Sequence, residues 1–162
     1  MTDLTRLSAG IAEQLKERGE TVAVAETSGG GLISASLLAV PGASAYFLGG
    51  GVLYTQDSRN ILLRVPDSEM VGIRSSSEPY AELLARTMRD RLETVWGVAE
   101  TGAAGPTGNR YGDDAGHTCV AVSGPVSAVR TLGTGSNDRE ANMQAFANAA
   151  LELFAQCLTE AA

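Results

Sequence analysis

The chain has 162 residues, a formal charge of −7 and a sequence pI near 4.7. That length suits one domain around one core, spanning 1–162, and the acidic balance disfavours direct nucleic-acid binding, which needs a basic face to displace counterions. Cys119 and Cys157 lack the spacing of a disulfide framework or a zinc site, and a charged N-terminus without an apolar run of roughly 18 residues argues against a signal peptide or a membrane span, so the expected compartment is cytoplasmic.

From Asp3 to about Arg18, Leu4, Leu7, Ile11, Ala12 and Leu15 recur at helical spacing. Asp3 or Thr2 is placed to cap that helix and Gly19 to stop it. Thr21 to Ala25 is a short β-branched run that reads as a buried strand. ETSGGG, Glu26 to Gly31, turns it into a second helix from about Gly31 to Ala39, ended by Pro41-Gly42. Gly49-Gly50-Gly51 then reads as a bulge leading into a strand at Val52-Leu53-Tyr54, followed by a short helix from about Asp57 to Leu63.

Ser75-Ser76-Ser77-Glu78-Pro79 marks a helix start. That helix runs to about Glu93 with Leu83, Leu84, Thr87, Met88 and Leu92 inward. A strand is expected at Val95 to Ala99 and a long polar loop at Glu100 to Asp114. His117 to Ser123 and Val126 to Leu132 form an antiparallel hairpin, and Asn137 or Asp138 caps a last helix that ends near Leu158. Helices alternating with strands, then a hairpin, predict a three-layer α/β/α sandwich with a mixed, mostly parallel sheet.

Three segments carry residues of chemical interest. ETSGGG joins a strand to a helix; its glycines admit a close ligand, and Thr27 and Ser28 add hydroxyls. Such turns also exist for packing alone. It is not a Walker A loop, because no lysine follows the glycines. TGAAGPTG, Thr101 to Gly108, leaves a strand and can wrap a phosphate or sugar with backbone amides. GASAYFLGGGVLYTQDSR, Gly42 to Arg59, places a loop hydroxyl at Ser44, Tyr54 at a strand end and Arg59 five residues later. VAETSGGG at Val24 to Gly31 also echoes VAETGAAG at Val98 to Gly105; two similar strand exits explain this without a duplication, and both exits can face one crevice.

In order and spacing these segments resemble the C-terminal domain of the CinA (competence/damage-inducible) family, the nicotinamide-mononucleotide amidohydrolases. The family pattern A-E-S-x-T-G-G is met by AETSGGG at Ala25 to Gly31. PGASAYFLGGGVLYTQDSR at Pro41 to Arg59, SSEP at Ser76 to Pro79 and TGAAGPTG at Thr101 to Gly108 meet the later motifs, and GSNDRE at Gly135 to Glu140 meets the G-D-R segment. The resemblance implies hydrolysis of nicotinamide mononucleotide to nicotinic acid mononucleotide and ammonia, without metal or cofactor, by a homodimer. It assigns the serine nucleophile to Ser44 and the catalytic tyrosine to Tyr54. Substrate binding falls to Glu26, Thr27, Ser28, Gly29, Gly30, Thr101, Gly102, Ala103, Gly105 and Arg139.

The lysine position of the family holds Arg59. A desolvated lysine can take a serine proton, whereas a guanidinium stays charged and cannot. The only lysine is Lys16, and the only histidine, His117, is a candidate substitute base. Gly29 stands where the family has threonine, and Asp113-Asp114-Ala115 replaces lysine-proline, removing positive charge from the rim of the site. The alternative to an active amidohydrolase is therefore a member that binds a nucleotide without efficient turnover. A partner of competence and recombination proteins is a more remote reading.

Overall fold

Strand β1 (Val22–Glu26) alternates valine with alanine and is buried at every position. The same alternation of bulky and small side chains recurs in β3 (Trp96–Ala103) and β4 (His117–Ser123). Val22, Val24, Trp96, Val98, Val120 and Val122 face α1 (Thr2–Arg18), α2 (Leu32–Leu38) and α5 (Arg139–Glu160). Ala23, Ala25, Ala99, Cys119 and Ala121 face the other way, onto α4 (Glu78–Leu92) and onto Leu53, Leu63 and Val65. Large residues fill the gap under three helices, and small ones let a single helix lie close. The computed structural model describes residues 2–162, with nothing described of the Thr2 side chain, so its expected capping role lies outside the described residues.

Among the described residues, five strands form one sheet in the order β2-β1-β3-β4-β5, with β2 spanning Phe47–Val52 and β5 spanning Ala128–Gly133. β1 is parallel to both β2 and β3, whereas β3–β4 and β4–β5 are antiparallel. The sheet is mixed with helices on both faces; the expectation that it would be mostly parallel is corrected to two parallel and two antiparallel pairs. The cause is local. β3 returns into β4 and β4 into β5 without the helical crossover that parallel neighbours need.

Other boundaries move for equally physical reasons. The glycines expected to lead into a strand at Val52 are themselves the middle of β2: Gly49, Gly50 and Gly51 pair with Ala23, Val24 and Ala25 in turn. Backbone pairing to β1 needs no side chains, so a glycine run is no obstacle at this edge position. The helix expected from Asp57 to Leu63 is one turn, α3 (Gln56–Ser58), running on into a wider π-type turn over Arg59–Leu63 that Arg64 closes at φ 58°. β3 does not stop at Ala99. It continues to Ala103 because β4 pairs with it as far as Ala103↔His117, so Glu100 and Thr101 are strand residues and not loop residues.

Ser77 caps α4 by accepting from the Tyr80 amide, and Asp138 caps α5 by accepting from the Ala141 amide. Trp96 anchors the three-helix face, its ring edge-on to Phe154 at 5.6 Å and its Nε1 donating to Glu20 at 2.9 Å. No helix among the described residues is long and apolar enough to cross a membrane.

The close approach of α4 depends on Gly97. A Cβ there would collide with the Ala85 carbonyl oxygen and lie 2.9 Å from Arg89 Cβ. Gly97→Ala should therefore push α4 off the sheet at a cost of about 1–3 kcal/mol. Thermal unfolding should show it as a fall in Tm on the order of 5 °C; an unchanged Tm would mean that α4 is not seated as described.

Candidate functional site

The chain leaves β1 for β2 on one side and later enters β3 on the other, so the strand order reverses at β1. In open α/β sheets such a switch point opens a crevice beyond the carboxyl ends of the strands. A cleft of about 370 Å³ lies there. Thr27 enters it from the end of β1, Tyr54 and Arg59 from the segment after β2, and Thr101 and Gly102 from the end of β3. Ser75, Ser76 and Tyr80 close it from the start of α4, and Arg110 reaches it from the loop before β4.

Thr27 is buried, and its hydroxyl makes no hydrogen bond among the described residues. Tyr54 is exposed at the mouth. Its hydroxyl accepts from Arg139 Nη2 at 3.1 Å, while Arg139 Nη1 donates to the Gly105 carbonyl at 2.5 Å. Arg139 thus ties the start of α5 to both Tyr54 and the 101–108 turn. Arg59 is buried. Its guanidinium donates to Asp67, to Asn60 Oδ1 at 2.9 Å and to the Val65 carbonyl at 3.3 Å, which holds it in its own turn. Burial pushes the Tyr80 phenol up in pKa, and the charge and hydrogen bond of Arg59 oppose that rise.

Ser44 does not join this group. It is exposed in the short turn Ala43–Ala45 that precedes β2, whereas Tyr54 follows β2. The two therefore sit at opposite ends of a six-residue strand, whose length is about 16 Å. Lys16 lies at the Ser44 end, its ammonium donating to the Pro41 carbonyl at 2.8 Å. Of the hydroxyls that share a cleft with Tyr54 and Arg59, that of Thr27 comes from the end of β1 and is held by no hydrogen bond among the described residues. Glu26 is also turned away from a ligand: its carboxylate accepts from the amides of Gly31, Ile33 and Ser34 at the start of α2. Ser28, Gly29 and Gly30 form the back of the turn that presents Thr27, and Ala103 and Gly105 lie beside the cleft without lining it.

Several cleft residues escape sequence reasoning. Ser76 adopts φ 57°, its amide donating to Thr101 Oγ1 at 3.1 Å and its carbonyl accepting from His117 Nε2 at 2.8 Å. His117 therefore braces the cleft wall from behind. Arg110 comes from a loop whose base is clamped by Asp113, which accepts from Arg74 Nη1 at 2.8 Å and from Asn109 Nδ2 at 2.8 Å. The acidic replacement at position 113 is thus neutralised by Arg74, and Arg110 supplies positive charge at the rim. The signal available in the sequence was the composition of the loop, in which Arg110 and Tyr111 interrupt a run of small polar residues.

An α/β protein with a polar, hydroxyl-rich cleft at the switch point of a mixed sheet is the class that these features define. The family model of the CinA C-terminal domain matches residues 4–158, and the chain belongs to that family. A CinA-like protein of Gloeobacter violaceus is 38% identical over 123 residues, which cover 76% of this chain and 29% of that protein. One from Myxococcus xanthus is 36% identical over 140 residues, covering 85% of this chain and 33% of that protein. The chain therefore spans a third or less of the length of these curated relatives. The crystal structure of the competence/damage inducible protein CihA from Agrobacterium tumefaciens superposes with a TM-score of 0.86 at 28% identity, covering 97% of this chain and 96% of that one.

The Asp113 clamp has a pH signature. The Arg74 guanidinium holds the Asp113 carboxyl below the usual carboxylate range, so the stability it contributes is present above the unfolded value and is lost as pH falls through the lowered folded value. Asp113→Asn should lower Tm at about pH 6, and the gap to the parent chain should close as the pH falls below about 4. A gap that stays constant with pH would show that the clamp carries no charge-dependent stability.

Proposed function

We propose that the chain is a nicotinamide-nucleotide amidohydrolase-like protein in which Thr27, not Ser44, supplies the hydroxyl that attacks nicotinamide mononucleotide. The observation that carries this reading is the shared cleft of Thr27, Tyr54 and Arg59, with Arg110 at its rim. Membership of the CinA C-terminal domain family supports it.

In this scheme the Thr27 oxygen bonds to the carboxamide carbon, and the C–N bond then breaks to leave an ester on Thr27. The hydroxyl proton leaves with the departing nitrogen as ammonia. Water cleaves the ester, releasing the carboxylic acid and restoring the threonine. Arg59 remains a cation and stabilises the developing oxyanion. Tyr54, held by a donor from Arg139, keeps its own O–H free to donate to the reacting centre. Arg110 faces the phosphate.

A second reading has its own support. The cleft wall combines hydroxyls, one carboxamide and two guanidinium groups, and among its lining residues there is no carboxylate, imidazole or lysine amine to act as base. Binding without efficient turnover fits that wall. The homodimer is likewise a proposal, supported by β2 lying at the sheet edge with Leu48 and Val52 exposed.

Incubation with nicotinamide mononucleotide should release ammonia. Thr27→Val should lower the rate at least roughly a hundredfold, whereas Ser44→Ala should leave it unchanged, and Arg59→Lys should raise it. Arg110→Ala should raise KM about tenfold with a smaller effect on kcat. Binding in calorimetry with no ammonia released would favour the second reading; neither binding nor release would overturn both.

A further inference from the structure

β1 and β3 run side by side, and in each the shared sequence VAET puts a glutamate directly after the last residues that the two strands pair, Ala25 and Ala99. Glu26 and Glu100 are both fully buried, and they converge on Gly29: a Cβ built there would lie 3.0 Å from Glu26 Oε1 and 3.0 Å from Glu100 Oε2. Glu26 serves α2, as described above. Glu100 serves the turn that carries Thr27. It accepts from the Thr27 amide at 3.2 Å, the Gly29 amide at 2.7 Å, the Ser28 hydroxyl at 2.6 Å and the Thr118 hydroxyl at 3.1 Å.

Four donors meet this carboxylate, and no cationic side chain among the described residues forms an ion pair with it. A buried carboxylate without a cation persists only where its oxygens are hydrogen-bonded. Two of the donors are the backbone amides on either side of Ser28, so the carboxylate fixes the path of the chain through Thr27 to Gly29. With the backbone held in this way, the Thr27 hydroxyl is left free toward the cleft. Gly29 is the complement, because a Cβ there would press on both carboxylates at 3.0 Å and force them to shift.

We infer that Glu100 is the positioning residue of the cleft, holding the Thr27–Gly29 backbone through its amides, and that Gly29 provides the room it requires. Its catalytic meaning rests on Thr27 being the reacting hydroxyl; its geometric content does not. Burial raises the Glu100 pKa, and the hydroxyl of Ser28 with the amides of Gly29 and Thr27 opposes the rise. The turn should therefore respond to protonation of Glu100 above the ordinary carboxylate range, while remaining part of the folded protein.

Backbone amide NMR of the ligand-free chain tests the geometry. The Thr27 and Gly29 amide resonances should titrate together with pH in the parent chain. In Glu100→Gln that titration should vanish and both resonances should move, with Glu100→Asp restoring part of the pH response. Gly29→Ala should displace the same resonances while Glu100 is intact. With nicotinamide mononucleotide, Glu100→Gln should lower kcat about tenfold with KM little changed, and Glu100→Asp should recover part of the loss. Resonances that do not titrate in the parent chain and do not move in Glu100→Gln, or a Glu100→Gln kcat equal to that of the parent, would overturn the role. Absence of turnover by the parent chain would sink the amidohydrolase reading instead, and the NMR result would then decide the role of Glu100.

Discussion

The parallel pairing of β1 with β3 is the constraint on which the rest of the molecule depends. It brings the end of β1 with its turn to Gly31 and the end of β3 at Thr101–Ala103 to one end of the sheet, and it does so by a register that matches Val24 with Val98 and Ala25 with Ala99. Because both strands are buried on both faces, a one-residue slip would exchange valine for alanine under every helix. The register is therefore set by packing far from the cleft, and the cleft inherits its geometry. Buried carboxylates then divide the work: one satisfies the amides of α2, the other those of the turn before it.

The charge of the cleft is arranged by local pairing and does not follow the net charge of the chain. Arg59 is held by Asp67, and Arg74 by Asp113. Arg110 has the Tyr111 ring and hydroxyl beside it, at 5.1 Å to the ring centroid, and no acidic partner among the described residues. A guanidinium at a rim whose other charges are paired is available to an anion, even on a chain of formal charge −7.

Much of the fold was legible because its signals are local. Helix periodicity located α1, α4 and α5, the Ser77 and Asp138 caps lie at the expected starts, and the hairpin of β4 and β5 followed from its turn residues. The strand boundaries at Gly49–Gly51 and at Glu100–Ala103 were not legible, because pairing with a neighbour determines them and propensity does not. For the site, a motif places a residue on a loop but does not say which end of a strand the loop occupies. Thr27, Tyr54 and Arg59 come together only because parallel strands put their exits on one side, and the same geometry sends Ser44 to the other. The bracing of Ser76 by His117, and the four donors on Glu100, join residues 41 and up to 73 positions apart. No pattern of spacing encodes such contacts.

Lys16 is the only lysine of the chain, and it is exposed at the end of the sheet away from the cleft. Coupling to a surface through that side chain would leave the mouth of the crevice turned toward solution. A fluorescent reporter on the same side chain leaves Tyr54 and Arg110 unmodified.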